Sequence, residues 1–237
     1  MRLKPVLAAL IAWCCLPSSA AFASSLEISP VSVNLVAGQN VKVIEIRNRG
    51  GSAVAIQIRA FAWSQAGDTD SLTPTKDLIL SPPIFTIPAG ASQTIRLLLR
   101  GKGGVGERSY RLLVDEVPSS NVQRNQVGIA FRVSMPVIAA AVAPPSRNLA
   151  WRARRGPGNQ ILLSAANTGN AYDKVHAIAV TLPDGSQPKI ASIGDNPYLL
   201  PGAQRQWVVQ GATPPANLRL NVTTQAGTSE HVLVVDP

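Results

Sequence analysis

The sequence predicts an all-β protein built from two β-sandwich domains. Three observations carry this. Short runs rich in Val, Ile, Leu and Thr alternate with Gly, Pro, Asn and Ser punctuation. No window holds a useful 3.6-residue apolar period. A Pro144-Pro145 pair divides the strand pattern in two.

Residues 1–23 are read as a processing signal. Arg2 and Lys4 form a positive n-region, an apolar run from Val6 to Leu16 follows, and Ala21-Phe22-Ala23 is a small-x-small cleavage pattern. Cys14 and Cys15 leave with that segment, so the mature chain is expected to carry no disulfide and no cysteine metal ligand. Loss of Arg2 and Lys4 lowers the formal charge from +9 to +7. No later segment offers ~20 uninterrupted apolar residues, so no membrane insertion of the mature chain is expected.

Residues 24–143 form the first predicted domain, with strands over 26–35, 41–48, 53–63, 84–87, 93–100, 109–117 and 127–142. Turns fall at Ala37-Gly38-Gln39, Arg49-Gly50-Gly51 and Pro88-Ala89-Gly90. Residues 144–145 read as a stiff hinge, because neither proline has an N–H to donate. Residues 146–237 form the second domain, with strands over 149–153, 160–166, 174–182, 204–210, 218–224 and 231–235.

Enzymatic chemistry has little to work with. His176 and His231 both lie on predicted strands, and neither has a serine or acid at a motif spacing. Two histidines without cysteines do not supply a zinc site, so no metal and no cofactor is expected. Gly101-Lys102-Gly103-Gly104-Val105-Gly106 is similar to a phosphate-binding loop, but Glu107 and Arg108 follow where Ser or Thr and a helix are needed. Nucleotide binding is not expected. The arginines are spread along the chain without an aromatic-interleaved basic stripe, which argues against nucleic acid.

The stretch from Val127 is the most informative. Val127, Ile129, Phe131, Val133 and Met135 share one face, and the extended reading runs well past the ~5–6 residues of a typical strand. Pro136 cannot donate to a ladder, which favours an edge position or a bulge. A long apolar edge strand is an aggregation hazard unless a partner uses it. On alternation alone, filling the core of their own domain is the plainer reading of these side chains.

The mature chain resembles the periplasmic chaperones of chaperone–usher pilus assembly. The likeness is carried by Val36-Ala37-Gly38-Gln39, by the run from Ser81-Pro82-Pro83 through Pro88-Ala89-Gly90 to Arg96-Leu97, by Tyr110-Arg111-Leu112-Leu113-Val114-Asp115-Glu116-Val117-Pro118, and by the strand from Val127. The Tyr-Arg-Leu and Arg132-Val133-Ser134-Met135-Pro136 blocks resemble the archaic branch.

The resemblance implies two immunoglobulin-like sandwiches in an L-shaped arrangement, located in the periplasm. It implies pilus or fimbrial subunits and an outer-membrane usher as partners. Val127, Ile129, Phe131, Val133 and Met135 become the side chains donated to a subunit's incomplete sandwich by strand addition. Arg111 and Arg132 become candidates for anchoring the subunit's terminal carboxylate, and Arg96 with Glu107 a structural ion pair. The alternative is a secreted β-sandwich structural subunit or adhesin of a surface fibre. Such subunits often carry a disulfide, which this mature chain lacks.

Overall fold

The computed structural model describes residues 26–101, 104, 106–118, 130–158, 160–190, 196–211 and 213–237. Ten strands precede the proline pair: β1 (Leu26–Ser29), β2 (Val33–Leu35), β3 (Val41–Asn48), β4 (Val54–Ala66), β5 (Thr69–Pro74), β6 (Leu78–Ser81), β7 (Ile84–Ile87), β8 (Ser92–Leu99), β9 (Arg108–Val117) and β10 (Arg132–Ala139). Seven follow it: β11 (Leu149–Arg155), β12 (Ile161–Asn167), β13 (Asp173–Thr181), β14 (Tyr198–Leu199), β15 (Gln204–Val209), β16 (Asn217–Thr224) and β17 (Gly227–Asp236).

The first domain is a sandwich of two sheets, ordered β1-β3-β8-β6 and β2-β10-β9-β4-β5, with β7 also on β4. Alternation explains why they pack. Ile44 and Ile46 of β3, Ile95, Leu97 and Leu99 of β8, and Tyr110, Leu112 and Val114 of β9 all turn inward into one buried cluster. Burying each large apolar side chain contributes roughly 1.5–3 kcal/mol.

The single strand expected over 26–35 is two strands in different sheets. Pro30 has no N–H for the β1–β3 ladder, and the chain bends there so that β1 pairs β3 while β2 pairs β10 in parallel. The strand expected over 127–142 ends at Ala139, and its described part begins at Arg132.

In the second domain the order is β14-β13-β16-β17-β11-β12-β15. A parallel contact of only two residue pairs, Ala153 with Val235 and Arg154 with Asp236, joins the two halves. Leu163, Ala165 and Trp207 from one half and Val180, Leu220 and Val222 from the other meet in a common core. That core also takes in Trp63 of β4 and Ile138 of β10. The two domains therefore share buried apolar surface.

Each sandwich holds one buried asparagine with its hydrogen bonds satisfied. Asn48 donates from Nδ2 to the carbonyls of Ser52 (2.7 Å) and Ile87 (3.1 Å), and its Oδ1 accepts from the Gly50 N–H (2.9 Å). Asn167 donates to the carbonyls of Ala171 and Leu199 (2.9 Å each) and accepts from the Gly169 N–H (2.9 Å). Gly169 is tight for a steric reason: a Cβ there would lie 2.1 Å from the Ser146 carbonyl oxygen. Glycine lets the turn press against the chain leaving Pro144-Pro145.

Candidate functional site

The first feature is a strand edge with half its ladder open. β10 pairs β9 along its whole length, from Arg132 opposite Asp115 to Ala139 opposite Arg108. On its other side β2 reaches only Val137, Ile138 and Ala139. Among the described residues, Arg132–Pro136 thus presents an unpaired edge, with Pro136 at the point where pairing stops.

Side chains along β10 divide at the same place. Met135, Val137 and Ala139 are buried in their own domain, Met135 at 1% exposure. Val133 and Phe131 continue the same face but pass beyond the core, and are 38% and 44% exposed. The expectation that Met135 belongs to the donated set is corrected: it is a core residue of this chain. Val127 and Ile129 lie outside the described residues. Phe131 is tied to the end of β9, its carbonyl accepting the Glu116 N–H at 2.9 Å.

The second feature is the outward face of the same sheet. Arg59 (2.7 Å) and Arg132 both pair with Asp115. Burial pushes the Asp115 carboxyl up, but the hydrogen bonds from Arg132 and Arg59 outweigh it and hold the group below its ordinary range. Arg111 stands four residues earlier on β9, opposite Pro136, which is roughly 13 Å along the strand. The two arginines singled out as carboxylate anchors therefore do not converge on one point, and Arg132 already has an acid.

Arg111 sits in the junction between domains. Its guanidinium carbon lies 3.8 Å from the centroid of the Trp63 ring and 5.6 Å from that of Tyr198. Tyr198 meets Trp63 edge-on at 5.3 Å and Tyr172 at 5.2 Å. Lys174 of β13 completes the series, with Nζ 4.6 Å from the Tyr198 centroid and 6.0 Å from that of Tyr172. Desolvation by burial lowers the Arg111 pKa, partly offset by Asp70 and Tyr198.

The β4–β5 hairpin docks this junction. Gln65 donates to the Tyr198 carbonyl (3.0 Å) and accepts from the Leu200 N–H (2.9 Å). Asp70 accepts from Asn196 Nδ2 (2.7 Å), and Asp68 from the Gln206 N–H (3.2 Å). No strand is predicted between Trp63 and Ile84. All six residues of β5 are exposed, so no apolar alternation marks the strand.

Glu107 forms a separate bracket. Its N–H donates to the Asn170 carbonyl (3.2 Å), and its Oε1 accepts from the Tyr172 N–H (3.1 Å). Asn170 in turn bonds Pro144 and Ser146 beside the proline pair. Burial raises the Glu107 pKa to about 7, against the Tyr172 hydrogen bond and the charge of Arg147. The expected Arg96–Glu107 ion pair does not form: Arg96 is exposed on the other sheet, opposite Val43 and Ser81. Glu107 faces the second domain instead.

No three His, Cys, Asp or Glu side chains among the described residues gather to hold a metal ion. His176 is exposed on β13, and the His231 ring pairs with Ser229 Oγ at 2.9 Å.

Comparison with known proteins decides which family this architecture serves. The family described as "Pili and flagellar-assembly chaperone, PapD N-terminal domain" matches residues 25–142. The chain belongs to the pilus-assembly chaperone family.

The similarity of this chaperone to its relatives extends past the matched domain. It is 28% identical over 193 residues to the "Probable fimbrial chaperone EcpB" of Escherichia coli, covering 78% of this chain and 82% of that protein. Its fold matches the CsuC–CsuE chaperone–tip subunit pre-assembly complex of the archaic Csu pili of Acinetobacter baumannii, with TM-score 0.66 and 23% identity over 90% of this chain and all of that chain. It also matches the SafA pilin–SafB chaperone complex of Salmonella enterica, with TM-score 0.60 and 18% identity over 89% and 96% of the two chains.

Proposed function

We propose that this chaperone works in the periplasm, where it binds pilus subunits by strand addition at β10 and passes them to an outer-membrane usher. The observation that carries the reading is the open edge at Arg132–Pro136, with Phe131 and Val133 exposed on the face that continues the core. An incoming incomplete sandwich would gain both a backbone ladder and apolar side chains to fill its gap. Val127 and Ile129, which share this face in the sequence pattern, extend the donated row.

Arg111 is the proposed anchor for the subunit's terminal carboxylate. It lies beside the point where β10 loses its second neighbour, and a guanidinium can grip a carboxylate bidentately. The Tyr110-Arg111-Leu112 block and the likeness to the Csu chaperone support placement in the archaic branch. The proline pair at 144–145, between the two sets of strands, is the proposed hinge.

Co-expression with pilin-like subunits from the same genome tests this. A subunit should co-purify with the wild-type chain, and Phe131→Asp with Ile129→Asp should abolish the complex while the chaperone stays folded. Survival of the complex would refute strand addition at this edge.

A further inference from the structure

At the far end of β10 from its open edge, the two sheets of the first sandwich leave a cavity of about 220 Å³. β2, β8 and β10 end around it, and β9 begins there. Leu35, Leu99 and Ala139 form an apolar floor, and all three are buried. Val36 and Val142 stand at the mouth, 63% and 67% exposed. The turn after Val36 is closed by the Gln39 N–H on the Val36 carbonyl (2.9 Å), with Gly38 at φ +81°. Arg108 is the charged residue of the described lining. Its Nη2 is buried and has no hydrogen-bond partner. Among the described residues, no carboxylate comes within ion-pair distance of it. Burial, and then the hydrogen bond to Asp77, push the Tyr110 hydroxyl up to about 12 against the charge of Arg108. Asp77 thus serves the hydroxyl, at 2.9 Å, rather than the guanidinium.

We infer that this cavity is a binding site for a medium-chain aliphatic carboxylate, its head on Arg108 and its alkyl chain leaving between Val36 and Val142. A guanidinium taken out of water without an anion is costly, and the rest of the described lining offers it only neutral groups. A carboxylate in the cavity would pair with the part of the guanidinium that lines it. The delocalised charge of that plane lets the pair also compensate the sealed Nη2. The apolar floor keeps water away, which strengthens the attraction. Each methylene that leaves water against the floor and the two valines adds to it. A bare inorganic anion would leave those apolar walls unfilled, and a neutral alcohol would leave the cation unanswered. The volume lies below the ~300–1,000 Å³ of drug-sized ligand pockets, which suits one head group with a single chain. No residue of this cavity lies on the edge at Arg132–Pro136, so the inference stands apart from the subunit-binding reading.

The test is isothermal titration calorimetry of the full mature chain with octanoate, octanol and acetate. Octanoate should bind one per chain, at least about tenfold more tightly than either the alcohol or acetate. Arg108→Met keeps the side-chain length and removes the charge. It should weaken octanoate about tenfold and leave octanol unchanged. Val36→Glu puts an acid at the exposed mouth and should weaken octanoate by a similar factor. Circular dichroism checks that both variants fold, and Val36→Glu decides the matter if Arg108→Met does not. Saturable octanoate binding that both folded variants retain would overturn the inference, by placing the site elsewhere. Equal affinity of the wild type for octanoate and octanol would overturn it too, since Arg108 would then contribute nothing. So would the absence of saturable octanoate binding to the wild type.

Discussion

Trp63 of the first domain and Tyr198 of the second meet edge-on with ring centroids 5.3 Å apart, and Arg111 lies against both. Trp63 belongs to the core of the second domain although β4 carries it. One side chain from a hairpin of the first sandwich therefore helps to fix where the second one sits.

Trp63→Ala should consequently loosen the junction more than either sandwich. Truncating a buried tryptophan costs about 3–5 kcal/mol. Calorimetry should show the wild-type transition split into two in the variant, since the first domain's own core cluster does not include Trp63. A single transition lowered as a whole would place Trp63's contribution elsewhere.

Glu107 gives the junction a pH dependence. Its folded pKa, about 7, is raised above the ordinary carboxylate value, so the folded state binds the proton more tightly than the unfolded one. Its contribution to stability is therefore greatest below about pH 4.5 and is lost as pH rises through 7. Urea melts at pH 5 and pH 8 should show wild type losing stability relative to Glu107→Gln over that interval. Parallel behaviour of the two proteins would contradict the buried-carboxylate account.

Asn48 and Asn167 should behave as independent staples. Replacing either by Ala leaves carbonyls and an N–H without their partner, at about 2–3 kcal/mol each. Because they sit in different sandwiches, the double variant should show additive losses in denaturant titrations.

Met135 and Phe131 separate packing from binding. Met135→Ala should lower stability by about 2–5 kcal/mol while subunit affinity, measured on folded protein, is retained. Phe131→Asp should do the reverse. The two residues share one face and lie four positions apart on the chain, so this contrast locates the edge of the core.

The fold class was legible because alternation and turn chemistry act locally. β3 and β7 appear at the boundaries that their apolar patterns predict, and Gly38 and Gly90 adopt the positive φ that their turns require. Pro30 was legible as a proline but not as a switch between sheets, since which ladder each half joins depends on strands far along the chain. β5 was missed because its exposed residues carry no alternation, and β14 because two residues carry no pattern at all. Arg111 could be singled out from its block, whereas its contact with the Tyr198 ring could not: that contact comes from docking of the two domains, which no local spacing encodes. The Arg96–Glu107 pairing failed for the same reason: Glu107 was drawn to the Tyr172 N–H across the junction.

Amide hydrogen exchange by mass spectrometry tests the central claim most directly, with the chaperone alone and in complex with a co-purified subunit. Peptides covering residues 127–136 should gain protection in the complex, by at least about tenfold at the amides of β10 that face its open edge rather than β9, while β3 and β8 stay unchanged. Protection that leaves 127–136 untouched and appears on another surface would show that the subunit does not pair with the open edge of β10.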